Sequence, residues 1–142
     1  MKRKDLQISV RSDPKLLACI RALLRRYLEC LAVSQGRAEE IVLAVDEACA
    51  NAIRHAYGGR RNKTLELTVR SDRSLIEIEL RDEGTPAPAD RVAPKRLGVS
   101  DPETLTPGGL GIPLIYQVFD EVSFAPGEKR GNRVTTRVKR PQ

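Results

Sequence analysis

Glu47 and Asn51 stand one helical turn apart in the segment Glu47-Ala48-Cys49-Ala50-Asn51-Ala52-Ile53-Arg54-His55-Ala56-Tyr57. On a helix, at about 100° per residue, Glu40, Glu47, Asn51, Arg54 and His55 fall within an arc of roughly 100°. Ile41, Val42, Val45, Ala48, Cys49, Ala52, Ile53 and Ala56 fill a second arc of about 140°. A carboxylate and an amide thus share a face turned away from the main core. Asn is a poor helix-interior residue, so its place there wants a reason. Its oxygen is a hard ligand suited to magnesium, and a carboxylate one turn away is placed to take a proton from a hydroxyl or water. Taken alone, this helix reads more readily as a solvated polar face.

Two further segments point the same way. Arg81-Asp82-Glu83-Gly84-Thr85-Pro86 closes a strand in which Ile76, Ile78, Leu80 and Asp82 are in phase. An inward carboxylate needs donors. The 6-amino group of adenine is one, and Gly84 would let a flat ring approach the backbone. Pro107-Gly108-Gly109-Leu110-Gly111-Ile112-Pro113 is a glycine-rich turn opening into a helix, a natural seat for phosphate. Each motif alone has an ordinary alternative, an Asp-x-Gly turn and a helix entry. In this order and at these separations they form the plan of a Mg·ATP site. The P-loop pattern and the motifs of ordinary protein kinases are absent.

The elements that must position these residues follow from periodicity. Leu6, Ile8 and Val10 alternate as a first strand. Ser12-Asp13-Pro14 starts a helix expected from Pro14 to Val33, and Ser34-Gln35-Gly36 breaks it. The second helix is expected from Arg37 to Tyr57, stopped by Gly58-Gly59. Strands over Thr64–Arg70 and Leu75–Arg81 make a hairpin around Ser71-Asp72-Arg73-Ser74. A proline- and glycine-rich stretch, Thr85 to Gly108, reads as a lid. A third helix begins near Gly111, and strands over Glu121–Ala125 and Asn132–Lys139 close the chain. The order β-α-α-β-β-loop-α-β-β implies an α+β two-layer sandwich: a mixed, mainly antiparallel sheet with helices on one face.

Whole-chain quantities bound the partners. The 142 residues suit a single domain, 1–142, and 25 Lys and Arg against 19 Asp and Glu give a net charge of +6. The basic residues are scattered and no aromatics interleave with them, so direct nucleic-acid binding is not expected. No stretch reaches the roughly 18 apolar residues of a membrane span, and no signal-peptide run follows the basic start, so the expected location is cytoplasmic. Cys19, Cys30 and Cys49 form no CxxC pair, and with one His they offer no zinc set. All three read as small core residues in a reducing compartment.

The segment from Glu47 to Tyr57 resembles the N box of the GHKL ATPases, in the form found in anti-sigma-factor serine kinases of the RsbW and SpoIIAB type. Asp82-Glu83-Gly84-Thr85-Pro86 is similar to that family's first glycine box, and Gly109-Leu110-Gly111 to its second. Phe119-Asp120-Glu121-Val122 and Gly131-Asn132-Arg133-Val134 resemble its closing segments. The resemblance spans nearly the whole chain. It implies the Bergerat fold, with Asn51 holding magnesium and Glu47 acting as general base. It implies that Asp82 contacts adenine and that Gly84, Gly109, Leu110 and Gly111 shape the nucleotide pocket. Thr136, in phase with Val134 and Val138, is expected to support Asp82, and His55 to pack.

Members of this family phosphorylate a Ser or Thr of a STAS-domain antagonist, otherwise hold a sigma factor inactive, and commonly dimerise. The resemblance therefore implies a serine/threonine protein kinase in a partner-switching circuit. The alternative is a nucleotide-dependent sequestering module without transfer. Two departures stand out: Pro86 where many members carry a second Gly, and a proline-rich lid whose obvious phosphate charges are Lys95 and Arg96.

Overall fold

Residues 3–93 and 111–141 are described by a computed structural model of the chain. Alternating apolar and polar residues build β1 (Lys4–Arg11), β2 (Thr64–Ser71), β3 (Leu75–Asp82), β4 (Glu121–Pro126) and β5 (Asn132–Lys139). These form one sheet in the order β1-β2-β3-β5-β4. Every described ladder is antiparallel, so the sheet is antiparallel throughout rather than mixed. The β4–β5 hairpin folds back so that β5, not β4, lies against β3, and this brings the start of β5 beside the end of β3.

The helices are α1 (Leu17–Cys30), α2 (Gln35–Asn51), the short α3 (Ala89–Val92) and α4 (Gly111–Val118). A 3-10 turn, Pro14–Leu16, precedes α1, and the Asp13 side chain caps it by accepting from the Lys15 N–H. The Ser34 side chain accepts from the Arg37 N–H at the start of α2, satisfying one of the donors a helix start leaves open. The stripe Leu17, Ile20, Leu24 and Leu28 of α1 is buried, as are Ile41, Val42, Val45 and Cys49 of α2. Both join one core with Leu65, Leu67, Val69, Ile76, Ile78 and Leu80 of the sheet and Ile112, Ile115 and Val118 of α4. This is the two-layer α+β sandwich.

The opposite phase of the strands carries charge. Arg70, Glu77, Arg137 and Glu121 occupy one transverse row across β2, β3, β5 and β4. They pair in sequence at 3.0, 2.9 and 2.9 Å. Glu77 is thereby buried between two guanidinium groups. With two Arg and two Glu the row is neutral, so it leaves the net charge of +6 to the rest of the chain.

The cysteines correct an expectation. Only Cys49 is buried; Cys19 and Cys30 are exposed. Counted around α1, both lie roughly opposite the buried Leu17–Leu28 stripe. Burial pushes the Cys49 thiol up to about 12, so it behaves as a small apolar core group. The stretch expected as an irregular lid begins with the helical turn α3, and its residues 94–108 lie outside the described ones. Among the described residues no helix is long and apolar enough to cross a membrane.

Candidate functional site

The site begins where α4 enters against α2. Gly111, the first residue of α4, is buried. A Cβ there would lie 2.8 Å from Asn51 Nδ2 and 3.2 Å from Glu47 Oε2. The glycine permits this close approach without displacing either side chain, and the approach brings the helix N-terminus onto the acid–amide pair. Glu47 and Asn51 are both half-buried, and Asn51 Oδ1 accepts from Arg54 Nη1 at 3.2 Å. Gly111, Glu47 and Asn51, singled out in separate segments of the sequence, therefore lie together. Gly109 and Leu110 lie outside the described residues.

Beyond Asn51 the helix loosens. Ala52–Ala56 form a π-turn, with the Tyr57 N–H donating to the Ala52 carbonyl at 3.1 Å. Such turns concentrate at functional sites. Here the Ala56 carbonyl accepts from the Thr85 N–H at 2.8 Å, tying the helix end to the segment after β3. Tyr57 is buried, and its hydroxyl donates to the Thr64 carbonyl at 2.6 Å and accepts from the Glu83 N–H at 2.7 Å. One phenol therefore fixes the start of β2 and the loop after β3 to α2. His55 is exposed and meets Arg91 of α3, with Nη1 3.2 Å from both ring nitrogens.

Gly84 serves this packing. A Cβ on it would overlap the Ala56 carbonyl and lie 2.8 Å from Ala56 Cβ. The missing side chain admits the helix backbone, where the sequence reading had it admit a flat ring. Gly84→Ala is expected to destabilise the fold by about 2–3 kcal/mol, because backbone cannot yield as a flexible side chain does. Thermal unfolding should register this as a fall of several degrees in Tm; an unchanged Tm would mean the loop has another seat.

Asp82, the last residue of β3, is buried. Its Oδ1 accepts from the Gly84 N–H at 2.9 Å and from Asn132 Nδ2 at 3.0 Å. Burial holds its pKa above the ordinary carboxylate value, the bonds from Asn132 and Gly84 oppose this, and the charge of Glu83 adds to it. Thr136 does not support Asp82, a correction to the sequence reading. Its Oγ1 donates to the Ile78 carbonyl at 3.0 Å, because the β3–β5 register sets Thr136 opposite Ile78 and Asn132 opposite Asp82. Four strand residues separate the two positions, about 13 Å. Thr136 instead lines an apolar recess between the helices and the sheet, with Ala48, Ile78, Leu80 and Val134. The polar residue the sequence reading missed is Asn132. Its place opposite Asp82 follows from the β3–β5 register, which strand phase alone does not give.

The model of the histidine kinase-like ATPase domain matches residues 10–138. The chain belongs to that family. Its RsbW and anti-sigma F branch supplies close relatives. A serine-protein kinase RsbW of Bacillus licheniformis is 35% identical over 132 residues, covering 86% of this chain and 79% of that protein. An anti-sigma F factor of Geobacillus kaustophilus is 29% identical over 129 residues, covering 91% and 86%. A crystal structure of the RsbU and RsbW domains of Rv1364c from Mycobacterium tuberculosis superposes with a TM-score of 0.66 at 17% identity. That match covers 96% of this chain and 32% of the longer one, and carries the fold alone.

Gly111 lies against Glu47 and Asn51, and the loop after Asp82 is tied to the end of the same helical segment at Ala56. α2 presents Glu47 and Asn51, the end of β3 presents Asp82, and α4 presents its N-terminus at Gly111. Among the described residues no three His, Cys, Asp or Glu side chains are grouped to hold a bare metal ion. Magnesium delivered with a nucleotide needs few protein ligands, since phosphate oxygens and waters fill most of its six positions. Asn51 Oδ1 has a second lone pair beside the one used by Arg54, so one protein oxygen is on offer.

Proposed function

We propose that the chain is an ATP-dependent serine/threonine protein kinase acting as an anti-sigma factor, with a STAS-domain antagonist as its phosphorylation substrate. The observation that carries this reading is the contact of Gly111 with both Glu47 and Asn51. A carboxylate able to take a proton thereby stands at the helix end that favours phosphate. In this scheme Asp82 accepts from the adenine 6-amino group, and the apolar recess beside Thr136 lies behind the base. Gly111, with Gly109 and Leu110 from the second glycine box, shapes the pocket, and Gly84 acts on it only by seating the loop after β3 against Ala56. Asn51 would hold magnesium, which supplies charge neutralisation on the phosphates when bound.

The chemistry asked of the chain's own residues is small. Glu47 takes the proton of the substrate hydroxyl as its oxygen bonds to the terminal phosphorus and the bond to the ADP oxygen breaks. The names of the relatives, serine-protein kinase and anti-sigma F factor, support the class of reaction and of partner. A homodimer is part of the same proposal.

The test is direct. Purified chain with labelled ATP and magnesium is expected to transfer label to a Ser or Thr of one among a panel of candidate STAS-domain proteins. Bound nucleotide without transfer to any such protein would leave the sequestering module as the reading.

A further inference from the structure

Asn132 opens β5 directly opposite Asp82. Its single side chain reaches three chain positions. Nδ2 donates to Asp82 Oδ1 and to the Thr85 carbonyl, each at 3.0 Å, and Oδ1 accepts from the Ala87 N–H at 2.8 Å. The preceding residue adds a backbone tie, with the Gly131 N–H donating to the Gly84 carbonyl at 2.6 Å. Both amide hydrogens and the amide oxygen are thus engaged by one short loop.

The consequence for Asp82 is orientation. Its two hydrogen bonds, from Asn132 and from Gly84, both fall on Oδ1. A carboxylate held by one oxygen from two sides presents the other, Oδ2, in a set direction. The same amide holds the Thr85 carbonyl and the Ala87 N–H, so the carboxylate and the backbone leading to α3 are fixed by one group.

We propose that Asn132 is the positioning residue that makes Asp82 read a purine 6-amino group, and that it couples this carboxylate to the backbone of Thr85–Ala87. The inference rests on the nucleotide reading given above. It differs from a purely structural role in a measurable way. A side chain that only closes the loop affects every nucleotide alike when removed. One that aims Asp82 changes what the 6-amino group itself contributes.

The experiment compares ATP with purine riboside 5′-triphosphate, which carries hydrogen in place of the 6-amino group. Binding of both, with magnesium, is measured by isothermal titration calorimetry on the full chain, together with a thermal melt. The variants are Asn132→Ala, which removes all three bonds, and Asn132→Asp, which keeps the shape and the acceptor for Ala87. Wild type is expected to prefer ATP by about tenfold or more, the value of a hydrogen bond to a charged acceptor. In Asn132→Asp that preference should fall to within about twofold, and the melt should drop although the Ala87 bond survives, because the new carboxylate faces Asp82 Oδ1 and the Thr85 carbonyl where Nδ2 had donated. Asn132→Ala should lose the preference and melt lower. Equal weakening of both nucleotides in Asn132→Asp, with the preference intact, overturns the proposal. A wild type that binds neither nucleotide overturns the underlying reading instead, a result distinct from an intact preference.

Discussion

Glu47→Gln is expected to lower phosphoryl transfer by about 10²–10⁴-fold, the range general-base catalysis supplies. Nucleotide affinity should stay within about threefold. The asymmetry follows from what the substitution removes. The glutamine side chain has nearly the size of the Glu47 side chain, can still accept and donate hydrogen bonds, and would keep the same packing against Gly111. It cannot take a proton. Parallel measurements of single-turnover transfer and of nucleotide binding check the split. Equal loss in both would show that Glu47 holds the nucleotide rather than activating the hydroxyl. Transfer unchanged from wild type would remove the base assignment altogether.

Gly111 sharpens the expectation. Because a Cβ at that position would crowd Asn51 Nδ2 and Glu47 Oε2, the bare Gly111 backbone lets both side chains keep their place against the start of α4. Preorganisation of this kind is what makes a single carboxylate effective, since its geometry does not have to be found anew for each turnover.

Why these residues were legible in the sequence, and others not, comes down to the range of the forces that place them. Glu47 and Asn51 lie on one helix, so a 3.6-residue period was enough to set them together. Asp82 shared its phase with Ile76, Ile78 and Leu80, and alternation alone turned it inward. Gly111 could be read as a helix entry, but nothing local said that the helix would land on Asn51. The choice between Thr136 and Asn132 depended on the β3–β5 register, which is set across the sheet. A phase argument gives the face of a residue and leaves its height along the strand open. The π-turn was hidden for a different reason. Ala52-Ile53-Arg54-His55-Ala56 contains neither Pro nor Gly, and the widening is stabilised from outside by the bonds of Ala56 to Thr85 and of Tyr57 to Glu83. Cys19 and Cys30 share one face of α1, as their spacing of eleven implies, but it is the face turned away from the buried Leu17–Leu28 stripe.

Asp82→Asn is expected to weaken ATP binding by about a hundredfold while leaving the fold as stable as wild type, or more so, at neutral pH. The introduced amide can still accept through its carbonyl oxygen from the Gly84 N–H and from Asn132. Its nitrogen would then occupy the direction of Oδ2 and present hydrogen where the adenine 6-amino group also presents hydrogen. Two donors facing each other in a buried site account for the loss of binding. The stability expectation follows from charge. Asp82 is held above its ordinary value of 3.8 chiefly by burial, so the native state keeps the proton more tightly than the unfolded chain. Through the interval above 3.8 the contribution of this residue to stability therefore falls as pH rises, and the penalty is complete once native Asp82 is ionised. An amide carries no such penalty. The Tm advantage of Asp82→Asn should thus be largest at neutral pH and vanish below about pH 3.8, where wild-type Asp82 is also uncharged. A variant that melts well below wild type at pH 7 would show Asp82 to be a structural anchor, with its carboxylate charge needed by the fold itself. Stability kept while binding is lost is the behaviour of a group whose ionisation is maintained against the fold's own interest, for the sake of a ligand.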